Sequence, residues 1–124
     1  MNNVHPLVSV VDDDESVRES LPDLLRIFGF TVDAFGSATE FLASDALGKT
    51  QCLVLDVAMP GMTGPELQRE LSRRGRTIPT VFITAIRDDA ARKRLIERGA
   101  VDCLCKPFSG EAINQAIRSA LQLS

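Results

Sequence analysis

Five short apolar runs divide this chain, and between them hydrophobic residues recur every three or four positions. Leu7–Val11 is β-branched, stops abruptly at Asp12-Asp13-Asp14-Glu15, and reads as a buried strand. Asp14 is placed to cap the next helix and Glu15 to sit in its positive first turn, which leaves Asp12 and Asp13 without a structural task. Over residues 16–28, Val17, Leu21, Leu24, Leu25 and Phe28 keep helical spacing, with Gly29 as the stop. Pro22 interrupts that pattern at a cost of about 3 kcal/mol, so a single kinked helix is predicted. Thr31–Phe35 alternates as a half-exposed edge strand does. Ser37 and Glu40 have capping-box spacing ahead of a short helix carrying Ala38, Phe41 and Leu42.

The third run ends at Asp56, and Pro60-Gly61 follows almost at once. A strand interior rejects both residue types, so Asp56 is predicted at a strand's carboxyl end with its side chain free. Gly64-Pro65 opens a helix through Leu67 and Leu71 that ends near Gly75. Residues 79–84 are the fourth strand, ending at Thr84, and residues 88–98 a helix stopped by Gly99. Residues 101–105 are a fifth strand closed by Lys106-Pro107. Ala112, Ile113, Ala116, Ile117, Ala120 and Leu121 stripe the last helix. Five strand–helix alternations with short connections predict an α/β fold, a parallel sheet covered on both faces.

Composition narrows the picture. A chain of 124 residues suits one domain and buries roughly two-thirds of its unfolded surface, enough for a core without staples. No run is long enough to span a membrane, and the start of the chain, Met1 to Pro6, lacks a signal-peptide layout, so a soluble cytoplasmic protein is expected. Cys52, Cys103 and Cys105 are an odd set that reads as reduced thiols. The net charge of -3 conceals an asymmetry: residues 1–60 hold ten acids and three bases, residues 61–124 seven acids and eleven bases. The acidic half contains Asp56.

If the strand order is 2-1-3-4-5, the flavodoxin-like doubly wound arrangement, then Asp12, Asp13, Asp56, Thr84 and Lys106 converge at one sheet edge. Three crowded carboxylates repel one another unless a hard divalent cation intervenes, and Mg²⁺ suits carboxylates, waters and a phosphate. With Lys106 and the Thr84 hydroxyl added, the set is suited to holding a phosphoryl group on a carboxylate. Each residue also has an ordinary reading taken singly: Asp12 and Asp13 as capping acids, Asp56 as a turn residue, Lys106 as a surface lysine, Thr84 as a strand end. His5, the sole histidine, sits in a terminus expected to fray, which excludes a Ser-His-Asp triad or a histidine zinc site. Cys103 and Cys105 share a strand face, where packing or redox sensing are the two readings. The arginines around Arg92-Lys93-Arg94 lack the aromatic or helix-turn-helix context of a nucleic-acid surface. They read as solvated, or as a face for an acidic partner.

The motifs Val11-Asp12-Asp13, Asp56-Val-Ala-Met-Pro-Gly-Met-Thr-Gly64, Phe82-Ile-Thr84-Ala85 and Ala100-Val-Asp through Lys106-Pro-Phe108 resemble, in order and spacing, the receiver domains of two-component response regulators. The nitrogen-fixation transcriptional group is the nearest in pattern. The resemblance implies that Asp56 is the nucleophile taking a phosphoryl group from a sensor histidine kinase. It implies Mg²⁺ held by Asp13, Asp56 and the Ala58 backbone carbonyl, with Asp12 acting through a water. Lys106 would pair with Asp56 or its phosphate, Thr84 would swing towards the phosphoryl oxygens, and the Lys106-Pro107 bond would be cis. The face of the fourth helix, fifth strand and fifth helix would then change, for dimerisation or effector control. The whole chain, 1–124, is expected to be one receiver, either complete or cut from a longer chain with a C-terminal DNA-binding domain.

Three departures accompany the resemblance. Cys103 stands where the family usually has an aromatic switch residue, and the chain has no Tyr or Trp. Activation is therefore expected to be read out through the backbone after Thr84. Ala58 and Ile86 occupy the positions flanking the attacking water, and neither can orient it, so a long-lived phosphoryl group is expected. Pro22 alters the helix that the family uses for kinase docking. The alternatives are a phosphorelay intermediate, an aspartyl-nucleophile phosphatase, which would want an acid where Ala58 stands, and a flavin carrier, whose phosphate the four consecutive acids would repel.

Overall fold

The computed structural model describes residues 5–123; Met1 to Val4, part of the stretch read for a signal sequence, and Ser124 lie outside the described residues. Its strands are β1 (Leu7–Val11), β2 (Thr31–Phe35), β3 (Cys52–Asp56), β4 (Thr80–Thr84) and β5 (Asp102–Cys105). All four pairings are parallel, in the order β2-β1-β3-β4-β5. The helices are α1 (Glu15–Ile27), α2 (Ala38–Leu42), α3 (Gly64–Arg73), α4 (Asp89–Glu97) and α5 (Gly110–Leu121), the flavodoxin-like alternation that the pattern predicts.

The period of two along each strand sorts the core into two layers. Val8, Val10, Cys52, Val54, Val81 and Ile83 face α1 and α5, where they meet Leu21, Leu25, Ile113 and Ile117. Val11, Leu53, Leu55 and Phe82 point the other way, to Phe41, Leu67, Leu71 and Leu95 of α2, α3 and α4. Strands covered on both sides cannot alternate apolar with polar, which is why the central runs are nearly continuous. Apart from Asp56 at the end of β3, Ser9 and Thr80 are the buried polar residues within these strands; the Ser9 hydroxyl is satisfied by Thr50 Oγ1 at 2.6 Å, and Thr80 Oγ1 donates to the Ile78 carbonyl at 3.0 Å.

Local chemistry sets the helix ends. Asp14 and Asp88 cap α1 and α4 by accepting from the N–H groups of Ser16 and Ala91, and Gly29 takes a positive φ of 98° at the end of α1. Helix α1 runs through Pro22 as one element, and Pro22 is buried. Two details differ from expectation. Ser37 caps α2, but the Glu40 carboxylate reaches Gly36 N–H, at 3.5 Å, so the reciprocal box does not close there. It closes at Thr63 and Glu66 instead, at the start of α3. A 3-10 helix, Asp45–Gly48, has no counterpart in the sequence pattern, because four residues are too few to show a period. It places Ala46 so that its carbonyl accepts the same Thr50 hydroxyl that contacts Ser9.

Candidate functional site

Parallel register delivers the predicted residues to one edge. Val11 lies beside Leu55, Asp56 beside Ile83, and Thr84 beside Cys105, so Asp12 and Lys106 follow directly on strand ends level with Asp56 and Thr84. The side-chain oxygens of Asp12, Asp13 and Asp56 lie within 4.8 Å of one another. Asp12 and Asp56 are buried and Asp13 is exposed.

Asp12 is engaged through every polar group. Its Oδ1 accepts from the Asp14 N–H at 2.9 Å, and its Oδ2 from Lys106 Nζ at 2.9 Å. Its carbonyl accepts from the Arg18 guanidinium at 2.9 Å, and its own N–H donates to the Phe35 carbonyl at 3.0 Å. Lys106 Nζ is 4.0 Å from Asp56, the partner that the resemblance implied for it. The shorter bond goes to Asp12 because a carboxylate with no solvent exposure is costly without a counter-charge.

Burial pushes the Asp56 carboxyl up to about 7, the charge of Asp12 adds to the push, and Lys106 opposes it. Burial works against the Lys106 charge, but its hydrogen bond to Asp12 and the charges of Asp12, Asp56 and Asp14 hold its pKa above the ordinary lysine range. A buried carboxyl that resists ionisation beside two others is the donor set a small, hard divalent cation relieves, so these residues fit Mg²⁺.

The remaining predicted residues surround this centre. Thr84 is half-buried; its Oγ1 accepts from the Ile86 N–H at 3.1 Å, and its carbonyl accepts from the Lys106 N–H at 2.7 Å. Ala58 is exposed in the loop after Asp56, and Ile86 is exposed in the loop after Thr84. Cys103 is buried, burial raises its thiol pKa, and it borders a cavity of about 530 Å³ lined also by Thr84, Ile86, Leu95 and Phe108. The Lys106–Pro107 peptide bond is cis. His5 stands apart from the site, with Nδ1 2.9 Å from the Gly29 carbonyl. The cysteines are free thiols. Of the arginines, Arg73 and Arg74 both pair with Glu70, holding its carboxyl down at about 2. Arg92 pairs with Asp102 at 2.8 Å.

Sequence reasoning passed over three supporting residues. At Gly64 a Cβ would collide with the Asp56 carbonyl oxygen and crowd the Phe82 ring, so the loop can close over Asp56 only because no side chain is there. Met59, buried in the core, anchors the same loop from within. Arg18, on α1 and outside every motif, ties the β1–α1 loop down through the Asp12 carbonyl. The Thr63-to-Glu66 spacing was readable as a helix start; Arg18 and Met59 carry no local signal.

Residues 8–118 match the family described as the response regulator receiver domain. The chain is 41% identical over 124 residues to the response regulator protein TmoT of Ectopseudomonas mendocina, covering 100% of this chain and 56% of the relative. It is 40% identical over 114 residues to the transcriptional regulatory protein FixJ of Azorhizobium caulinodans, covering 92% of this chain and 54% of the relative. The chain thus spans about half the length of these relatives. Among solved structures, the response regulator StyR superposes with a TM-score of 0.86 at 47% identity, over 96% of this chain and 60% of that one.

Proposed function

Given that this chain belongs to the response regulator receiver domains of two-component signalling, a family that signals and is not a turnover enzyme, we propose that Asp56 is its phosphoacceptor. The observation that carries the reading is the approach of the Asp12, Asp13 and Asp56 oxygens within 4.8 Å, with Lys106 at 2.9 Å from Asp12 and 4.0 Å from Asp56. A carboxylate oxygen of Asp56 attacks the phosphorus of a phosphohistidine on a cytoplasmic sensor kinase; the new O–P bond forms as the P–N bond breaks and the imidazole nitrogen leaves. Asp13, Asp56 and the Ala58 backbone carbonyl would hold Mg²⁺, with Asp12 in contact through water. When bound, the ion supplies positive charge against the oxygens of the transferring group. Lys106 orients the phosphoryl group as a point charge, and the Thr84 hydroxyl donates to one of its oxygens, which draws residues 84–88 inward.

For the protein as a whole, the reading is phosphorylation-controlled transcription. The α4–β5–α5 face mediates dimerisation or contact with an effector, which is a C-terminal DNA-binding domain or a separate protein, and residues 1–124 act as the receiver unit. Ala58 and Ile86 offer no group to orient water, so the phosphoryl group is long-lived. Ala58→Asn is expected to shorten its lifetime, and a fast decay unaffected by that change would remove this part of the reading.

Intact mass after incubation with Mg²⁺ and acetyl phosphate tests the chemistry. A gain of one phosphoryl group, lost in Asp56→Asn and on chelation, is expected; a gain that survives either change overturns the assignment.

A further inference from the structure

The segment after Thr84 combines an exposed apolar side chain, a neighbouring cavity and a hydrogen bond to the Thr84 hydroxyl. Ile86 is a large aliphatic side chain left 66% exposed. It forms part of the wall of the 530 Å³ cavity, which Leu95, Cys103 and Phe108 also line. Its N–H donates to Thr84 Oγ1, so the position of Ile86 depends on where the Thr84 hydroxyl points.

The cavity has a local cause. Cys103 lies beside Phe82 across the β4–β5 ladder and packs in the same layer as Leu95, but its short side chain leaves the space between β5 and α4 unfilled. Helix α4 contributes Leu95 as its one buried residue and is otherwise fastened at the rim. There Arg92 bonds the Asp102 carboxylate at 2.8 Å and the Cys103 carbonyl at 3.0 Å. The start of α4 is fixed by Asp88, which accepts from the Ala91 N–H at 3.0 Å. Residues 85–87, between Thr84 and that cap, are therefore the short stretch left to absorb a movement.

We propose that Ile86 is the switch residue of this receiver. When the Thr84 hydroxyl turns to a phosphoryl group on Asp56, its hydrogen bond with the Ile86 N–H breaks, and Ile86 passes from solvent into the cavity over Cys103. Residues 85–87 and the first turn of α4 follow. The proposal rests on the phosphoryl reading of Asp56 and Thr84. Withdrawing most of an isoleucine side chain from water shifts a two-state equilibrium by about tenfold, the size of an ordinary coupling between sites.

Methyl NMR on the chain with Mg²⁺ and beryllofluoride, read against a soluble paramagnetic probe, tests it. The Ile86 methyls are expected to become protected from the probe and to gain contacts with the Leu95 methyls. Cys103→Phe fills the space, so Thr84 still responds while Ile86 stays exposed. Ile86→Ser, at a surface position that folding tolerates, weakens beryllofluoride binding about tenfold through the same linkage. A Thr84 response with Ile86 still exposed, or unaltered binding by Ile86→Ser, overturns the proposal and leaves the phosphoryl reading standing. No response at Thr84 or Asp56 in folded protein overturns both.

Discussion

Helices α1 and α4 are both capped by an aspartate and both flank the sheet at the site, yet they are held in opposite ways. Helix α1 buries Leu21, Pro22 and Leu25, the two leucines in the core layer it shares with α5, and its Arg18 grips the Asp12 carbonyl. Helix α4 buries Leu95 alone, borders a cavity, and depends on Arg92 at its rim. One positions the acidic cluster and must stay still; the other lies beside Thr84 and can shift at small cost. Elements that move are drawn from the less stable parts of a fold, and the burial of these two helices makes the division visible.

The sharpest test removes one core leucine from each. Leu25→Ala, at a position with no exposure, is expected to cost about 3 kcal/mol, against about 2 kcal/mol for Leu95→Ala. Urea denaturation followed by circular dichroism measures both, and equal losses would erase the contrast. Gly64→Ala probes the loop between the two regions. Its Cβ meets backbone, so a loss of about 2 kcal/mol is expected together with impaired phosphorylation by acetyl phosphate.

Asp56→Asn should act in the opposite direction. The fold raises the Asp56 pKa from 3.8 to about 7, so the contribution of this carboxyl to stability is present below about pH 4 and is lost as pH rises through 7. Without metal, Asp56→Asn is therefore expected to gain about 2 kcal/mol at pH 8 and nearly nothing at pH 4. Melting curves at the two pH values check this, and a gain that does not depend on pH would refute it. The smallest change in stability belongs to Arg92→Ala. Its ion pair is half-exposed, so less than about 1 kcal/mol is expected. Hydrogen exchange should nonetheless quicken in α4 and not in α1.

Most of the fold was legible because its signals are local. The β-branched runs, the helical spacing of Leu21, Leu24 and Leu25, and the stops at Gly29 and Gly99 each concern residues within a few positions of one another. The candidate site was legible as a set of strand ends, since Asp12, Asp56, Thr84 and Lys106 each terminate an apolar run. The capping box was assigned to Ser37 and Glu40, where the spacing is right but the carboxylate reaches Gly36. The pattern records spacing and not which N–H lies within reach.

By itself the sequence determined the elements, their order along the chain and the chemical types gathered at one edge, because periodicity, capping and chain-breaking act over single turns. Tertiary structure alone decided that Lys106 pairs first with Asp12, 94 residues away, that Gly64 must be bare to pass the Asp56 carbonyl, and that Ile86 stands beside a space left by Cys103. Each of these depends on how much room and how little water remain when segments distant in sequence pack together, and no local pattern encodes that.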